Sequence, residues 1–224
     1  MNLLAIDTST AEASIGLSVN GRLWHESHQA ERLHAQFILP AIERLLNQAD
    51  CSLPQLDGIA FGRGPGSFTG LRIACSVAKG LAYAHDLPLY PVSSLAAIAE
   101  EYLHQHQIPW GGQPVLALLD ARMQQLYWAC FTDATLDVEE QVSDAADIPV
   151  PDTETIVLAG AGFATYRSQL STQIIDKVSI EKTIFPQAPA MIRLVQAQKI
   201  KAVDAKDASP VYIRNKVTQG EARG

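Results

Sequence analysis

The stretch Gly62–Ala84, GRGPGSFTGLRIACSVAKGLAYA, decides how the rest of the chain reads. It opens as a glycine-rich turn and continues as a helix of about five turns. In Gly64-Pro65-Gly66-Ser67, proline at the second position and glycine at the third predict a type II turn. Ser67 is placed to cap the helix, because its hydroxyl can accept a free amide of the first turn. From Phe68 to Ala84 only Arg72 and Lys79 carry charge. Gly70, Ala74, Ala78 and Ala82 recur every fourth residue and share one side. Ile73, Val77, Leu81 and Ala84 form an adjoining apolar stripe. A helix apolar around most of its circumference is buried around most of it. The expected arrangement turns the larger residues toward the chain's own sheet and offers the small-residue strip to a partner. Packing of both faces inside one lobe is the alternative.

The turn itself has two readings. Glycines admit a phosphate closely, and a helix N-terminus offers free amides. Asp7, Thr8, Ser9, Gly64, Gly66 and Ser67 are the candidate anion or nucleotide ligands on that reading. A tight strand-to-helix connection is the other reading, and it is favoured. The P-loop pattern is absent, and neither Gly62-x-Gly64 nor Gly64-x-Gly66 has the third glycine of GxGxxG in register. Asp7-Thr8-Ser9-Thr10 contains no glycine, and Asp followed by Thr/Ser at a strand end is an ordinary side-chain turn.

The chain has 224 residues, 47% of them hydrophobic, enough for one large domain or two lobes with real cores. A net charge of −7 with dispersed Lys and Arg gives no footprint for direct nucleic-acid binding. Three widely spaced cysteines, Cys51, Cys75 and Cys130, predict reduced thiols in a cytoplasmic protein. MNLLAIDTST lacks the basic start of a signal peptide, and no apolar run reaches membrane-spanning length.

Outward from the central stretch, Leu3–Ile6, Ala13–Val19 and Arg22–Ser27 predict three strands, the last two joined at the Asn20-Gly21 turn. Leu33–Ala49 has helical spacing, Gly58–Gly62 and Leu87–Val92 are short strands, and a helix runs from Ser93 or Ser94 to about His104. IPWGGQP at 108–114 marks a boundary. Beyond it, strands are expected at Val115–Asp120, Gln125–Thr132, Leu136–Val142 and Thr155–Ala159. A helix to about Leu170, a last helix at Pro189–Gln198 and an extended Pro210–Arg214 follow. The division is a first lobe over 1–107, a smaller second lobe over 108–214 and a frayed tail over 215–224. The order strand-strand-strand-helix-strand-helix thus occurs twice, the second time trimmed. Duplicated βββαβα lobes predict an α/β protein of actin-like architecture, and fold alone does not settle function.

Catalytic patterns are scarce. His25 with His28, and His104 with His106, lack the carboxylates of a metal site, and HExxH is absent. No serine sits in a GxSxG elbow. Trp24, Trp110 and Trp128 are too far apart to stack bases.

LLAIDTSTAEASIGL, ERLHAQFILPAIERLL and GIAFGRGPGSFTGLRIACSVAKGLAYAHDLPLYPVSSL, taken in order, resemble the TsaB (YeaZ) family over roughly the first hundred residues. GPGSFTGLRI is the specific part; LLDARMQQLYWACF and SPVYIR extend the resemblance more weakly. The resemblance implies a non-catalytic partner in threonylcarbamoyl modification of adenosine in tRNA. It implies a metal-bearing catalytic relative, TsaD, and an ATPase, TsaE, as partners, with tRNA contacted only within the complex, a homodimer when alone, and no cofactor. The relative opens the helix after its strand with a His-x-x-x-His metal pair. Those places fall here on Ser94 and Ile98, which cannot hold such an ion. His34 resembles a helix-opening histidine of the relative and would stand alone. Leu33, His34, Phe37 and Ala41 of the first long helix, with Gly70, Ala74, Ala78 and Ala82, are the expected partner-binding residues. An ATP-dependent phosphotransferase of the same architecture is the rival reading, and a metallopeptidase the least supported.

Overall fold

The computed structural model describes residues 1–29, 34–133 and 135–214. The expected partner residue Leu33 and the expected tail over 215–224 lie outside the described residues. Two five-stranded sheets form the body. The first contains β1 (Leu3–Asp7), β2 (Glu12–Val19), β3 (Arg22–Gln29), β4 (Gly58–Gly64) and β5 (Leu89–Ser93), in the order β3-β2-β1-β4-β5. Helices α1 (His34–Gln48), α2 (Phe68–His85) and α3 (Ser94–Gln105) belong to the same half of the chain. The second sheet contains β6 (Val115–Asp120), β7 (Gln125–Phe131), β8 (Gln141–Asp144), β9 (Ile156–Ala161) and β10 (Val178–Thr183), in the order β10-β9-β6-β7-β8. A 3₁₀ helix at Phe163–Gln169, a single turn α4 (Thr172–Ile175) and α5 (Ala188–Gln196) complete it.

The two sheets repeat one plan. β1 pairs antiparallel with β2 and parallel with β4; β6 pairs antiparallel with β7 and parallel with β9. This is the duplicated α/β, actin-like arrangement expected from the order of elements. β10 was not expected: VSIEKT alternates only weakly, and four of its six residues are exposed or charged at a sheet edge. β8 begins at Gln141 rather than Leu136, and the element after β9 is 3₁₀ rather than α.

Alternation within strands builds the layers. Leu4 and Ile6 of β1 face outward to α1 and α2, where they meet Ile15, Leu17, Ile38, Leu45, Ile59 and Phe61. Leu3 and Ala5 face inward to α3 and α5. In the second sheet Leu116 and Leu118 face Phe163, Leu170 and Ile174, while Val115, Ala117 and Leu119 face inward. The inward sides of both sheets therefore share one apolar core, filled by α3 and α5.

This sharing corrects the expected lobe boundary. The chain does pass from one sheet to the other between α3 and β6, but its last described part returns to the first lobe. Ala188 N–H, at the start of α5, donates to Ser14 Oγ of β2 at 2.8 Å, and Gln187 Nε2 donates to Glu12 Oε1 at 2.7 Å. Leu89 of β5 and Val203 form a two-bond bridge. An expected second lobe over 108–214 thus gives up its final segment, because the inner face of the first sheet needs a second helix to cover it. Truncating Met191, fully buried in this core, should cost about 2–5 kcal/mol. Chemical denaturation of Met191→Ala followed by both circular dichroism and tryptophan fluorescence should show one shared, lowered transition rather than two.

Candidate functional site

The turn before α2 lies against the turn after β1. Ser67 N–H donates to Ser9 O at 2.7 Å. Thr8 Oγ1 donates to Gly70 O at 2.7 Å. A Cβ on Gly70 would stand 1.7 Å from Thr8 O, so only glycine permits this approach. Ser67 caps α2 as expected, its Oγ accepting from Gly70 N at 3.3 Å. The Gly64–Pro65 bond is cis, which departs from the expected type II turn.

These contacts bring the six candidate anion ligands, Asp7, Thr8, Ser9, Gly64, Gly66 and Ser67, into one neighbourhood, where several of their polar groups bond to one another. The Ser67 amide is taken by Ser9, the Thr8 hydroxyl by Gly70, and Gly66 packs on Ser9. Asp7 Oδ1 accepts from Ser9 N at 2.9 Å and Ser9 Oγ at 2.8 Å, while the buried Oδ2 has no hydrogen-bond partner among the described residues. That oxygen occupies the space beside Gly62, where a Cβ would lie 2.0 Å from it. Asp120 repeats the arrangement in the second lobe: it follows the same parallel register, and a Cβ on Gly162 would lie 2.6 Å from its own Cβ. The glycines serve close backbone packing, and they do so twice.

Between the two turns lies a cleft of about 570 Å³. Its walls include Ser9, Gly66 and Phe68 from the first lobe and Leu119, Arg122 and Phe185 from the second. Tyr212 closes one side. Sequence reasoning missed Phe68, Leu119 and Tyr212 as neighbours, because nothing in their local patterns announces a meeting of residues so far apart in the chain.

The expected small-residue interface is corrected by the packing. Gly70, Ala74, Ala78 and Ala82 are all buried against the chain's own first sheet. The reason is distance: with Thr8 O against the Gly70 backbone, α2 runs too near the sheet for larger side chains. Ile73, Val77 and Leu81 are the half-buried ones, and Tyr83 stands 86% exposed. On α1, His34 and Ala41 are also buried, and Phe37 is half-buried and stacks on His28 at 5.1 Å. His34 Nε2 donates to Thr10 O at 2.9 Å. Leu39 is the large apolar side chain that α1 exposes, at 53%.

Ser94 and Ile98 are fully buried in α3 within the shared core. A hydroxyl and an alkyl group there offer a metal ion no imidazole, thiolate or carboxylate. No group of three His, Cys, Asp or Glu residues suited to a metal exists among the described residues. No helix among them is long and apolar enough to cross a membrane.

Two sheets built on one plan, with helices shared between them and a cleft at their loop ends, define a protein of the actin-like α/β class. The family model described as TsaD, tRNA N6-adenosine threonylcarbamoyltransferase, matches residues 27–219. A Haemophilus influenzae protein named tRNA threonylcarbamoyladenosine biosynthesis protein TsaB is 34% identical, over 97% of this chain and 95% of its own. The Escherichia coli protein of that name is 40% identical, over 97% and 96%. A solved structure of YeaZ from Pseudomonas aeruginosa superposes with a TM-score of 0.82 at 35% identity, covering 94% of this chain and 99% of its own. The chain belongs to the TsaB (YeaZ) family.

Burial pushes the Asp7 carboxyl up to about 6 from an ordinary 3.8, and the two Ser9 bonds offset only part of this. The folded state therefore holds a proton that the unfolded chain loses, so stability falls as pH rises from about 4 through 6. The span corresponds to about 3 kcal/mol. Asp7→Asn keeps the acceptor for Ser9 and removes the titration. Urea denaturation at pH 4 and pH 7.5 should show the variant gaining on the parent by about that amount at the higher pH.

Proposed function

We propose that this chain is a non-catalytic subunit in the biosynthesis of threonylcarbamoyladenosine in tRNA, acting by docking on a metal-bearing TsaD-like relative alongside a TsaE-like ATPase. The pathway follows from the relatives of that name, which align over nearly the whole chain. The non-catalytic role rests on one observation: Ser94 and Ile98 stand, buried and without metal-binding chemistry, where the relative needs its histidine pair. The subunit needs no cofactor of its own. Its net charge of −7 offers phosphates little counter-charge, so tRNA is met only within the complex.

The docking face on this reading is the outward side of α1 and α2. Leu39 and Tyr83 are its exposed apolar side chains, and Ile73, Val77 and Leu81 of α2 are half-buried. Exposed aromatic side chains of this kind anchor interfaces once desolvated. When the relative is absent, the same face pairs two copies in an isologous dimer.

Reconstitution tests the reading. This chain alone should modify no tRNA and hold no stoichiometric zinc or iron, and activity should appear only when the TsaD-like and TsaE-like proteins are added. Calorimetry with ATP and Mg²⁺ on the isolated chain addresses the phosphotransferase rival, which requires tight binding. Leu39→Asp with Tyr83→Asp should weaken association with the relative by roughly a hundredfold or more, while the melting temperature changes little because both sites are exposed. Sedimentation and thermal melting of the double variant check both halves of that statement.

A further inference from the structure

After α5 the chain runs back over the first lobe as a strap. Leu89 N–H donates to Val203 O at 3.0 Å and Val203 N–H to Leu89 O at 2.8 Å. Lys79 Nζ donates to Ala208 O at 2.9 Å. Val211 N–H donates to Arg63 O at 2.7 Å. The strap passes so near the glycine turn that a Cβ on Gly64, whose φ is +110°, would lie 2.9 Å from Val211 O. The Tyr212 ring then sits 4.7 Å from Phe68, and its hydroxyl accepts from Arg72 Nε at 3.2 Å.

Up to Tyr212 every one of these partners is in the first lobe. Arg214 is different: its Nη1 donates to Ala121 O at 2.8 Å, and its Nη2 donates to Gln125 Oε1. Ala121 lies in the turn after β6, and Gln125 opens β7. A second arginine reaches across in the same direction. Arg63 Nη2, at the end of β4, pairs with Glu140 Oε1 at 3.0 Å, just before β8. Glu140 is almost fully buried, so its pairing with Arg63 is shielded from bulk solvent and salt.

We propose that residues 203–214 are a strap whose Arg214 clasp, together with Arg63, holds the β6–β7–β8 side of the second lobe at a set distance from the first and so fixes the width of the cleft. The shared core around α3 and α5 joins the inner faces of the sheets, and the two arginine contacts join their loop ends. Val211, Tyr212 and Arg214 also line the cleft, so the same segment is both its tie and one of its walls. The inference is independent of which partner docks on α1 and α2.

Amide hydrogen exchange on the full chain tests the clasp from both sides, with Arg214→Ala and Gln125→Ala as separate variants. In each, amides of 121–125 and 211–213 should exchange roughly tenfold faster, with β1, β2 and α5 unchanged. Unchanged exchange at 121–125 in both variants would overturn the clasp. Faster exchange spread evenly over the chain in both would overturn it too, since the contact would then belong to global stability. The width claim has its own readout. Small-angle scattering of Arg63→Gln with Arg214→Ala should give a larger radius of gyration than the parent, and an unchanged radius alongside faster local exchange would refute the role in setting the cleft.

Discussion

The carbonyl oxygen of Thr8 lies where a side chain on Gly70 would have to be. That approach sets how near α2 comes to the first sheet. It explains why Ala74, Ala78 and Ala82 follow Gly70 at helical spacing and why all are buried. It also engages the Ser67 amide and the Thr8 hydroxyl in contacts between the two turns. The outward side of α2 includes half-buried aliphatics and an exposed tyrosine beside the exposed Arg72, Ser76 and His85.

Much of the fold was legible because local signals agreed with one another. Asn20-Gly21 between alternating strands, Ser67 before an apolar helix and the break at 108–114 each follow from short-range chemistry. β10 was not legible, since an exposed edge strand carries little alternation. The return of α5 to the first sheet was not legible either. Its amphipathic pattern shows that it buries one face, and pattern alone does not say against what.

The small-residue strip shows where reading from side-chain size stops. A row of Gly and Ala says that some backbone comes close, and the sheet beneath satisfies that statement as well as a partner does. Only the position of Thr8, 62 residues earlier in the chain, distinguishes the two. The candidate site suffered in the same way. Asp7, Ser9 and Ser67 lie at one place, where the Asp7 carboxylate packs beside Gly62. Asp120 and Gly162 echo the pair in the second lobe, a correspondence visible only once the parallel registers are known.

The insertion of α5 into the first lobe sets the timing of folding on the ribosome. The inner face of that sheet, with Leu3 and Ala5, is finished only by residues 188–196. At about 5–20 residues per second of synthesis, that face waits roughly ten to forty seconds after β1 emerges. During this interval it presents apolar surface to the cell, and the first hundred residues, which carry most of the family's recognisable motif, have no completed body of their own. The halves of the sequence are duplicates in plan, yet the order of the genetic message leaves the earliest-made sheet to be covered by a helix made late in the chain.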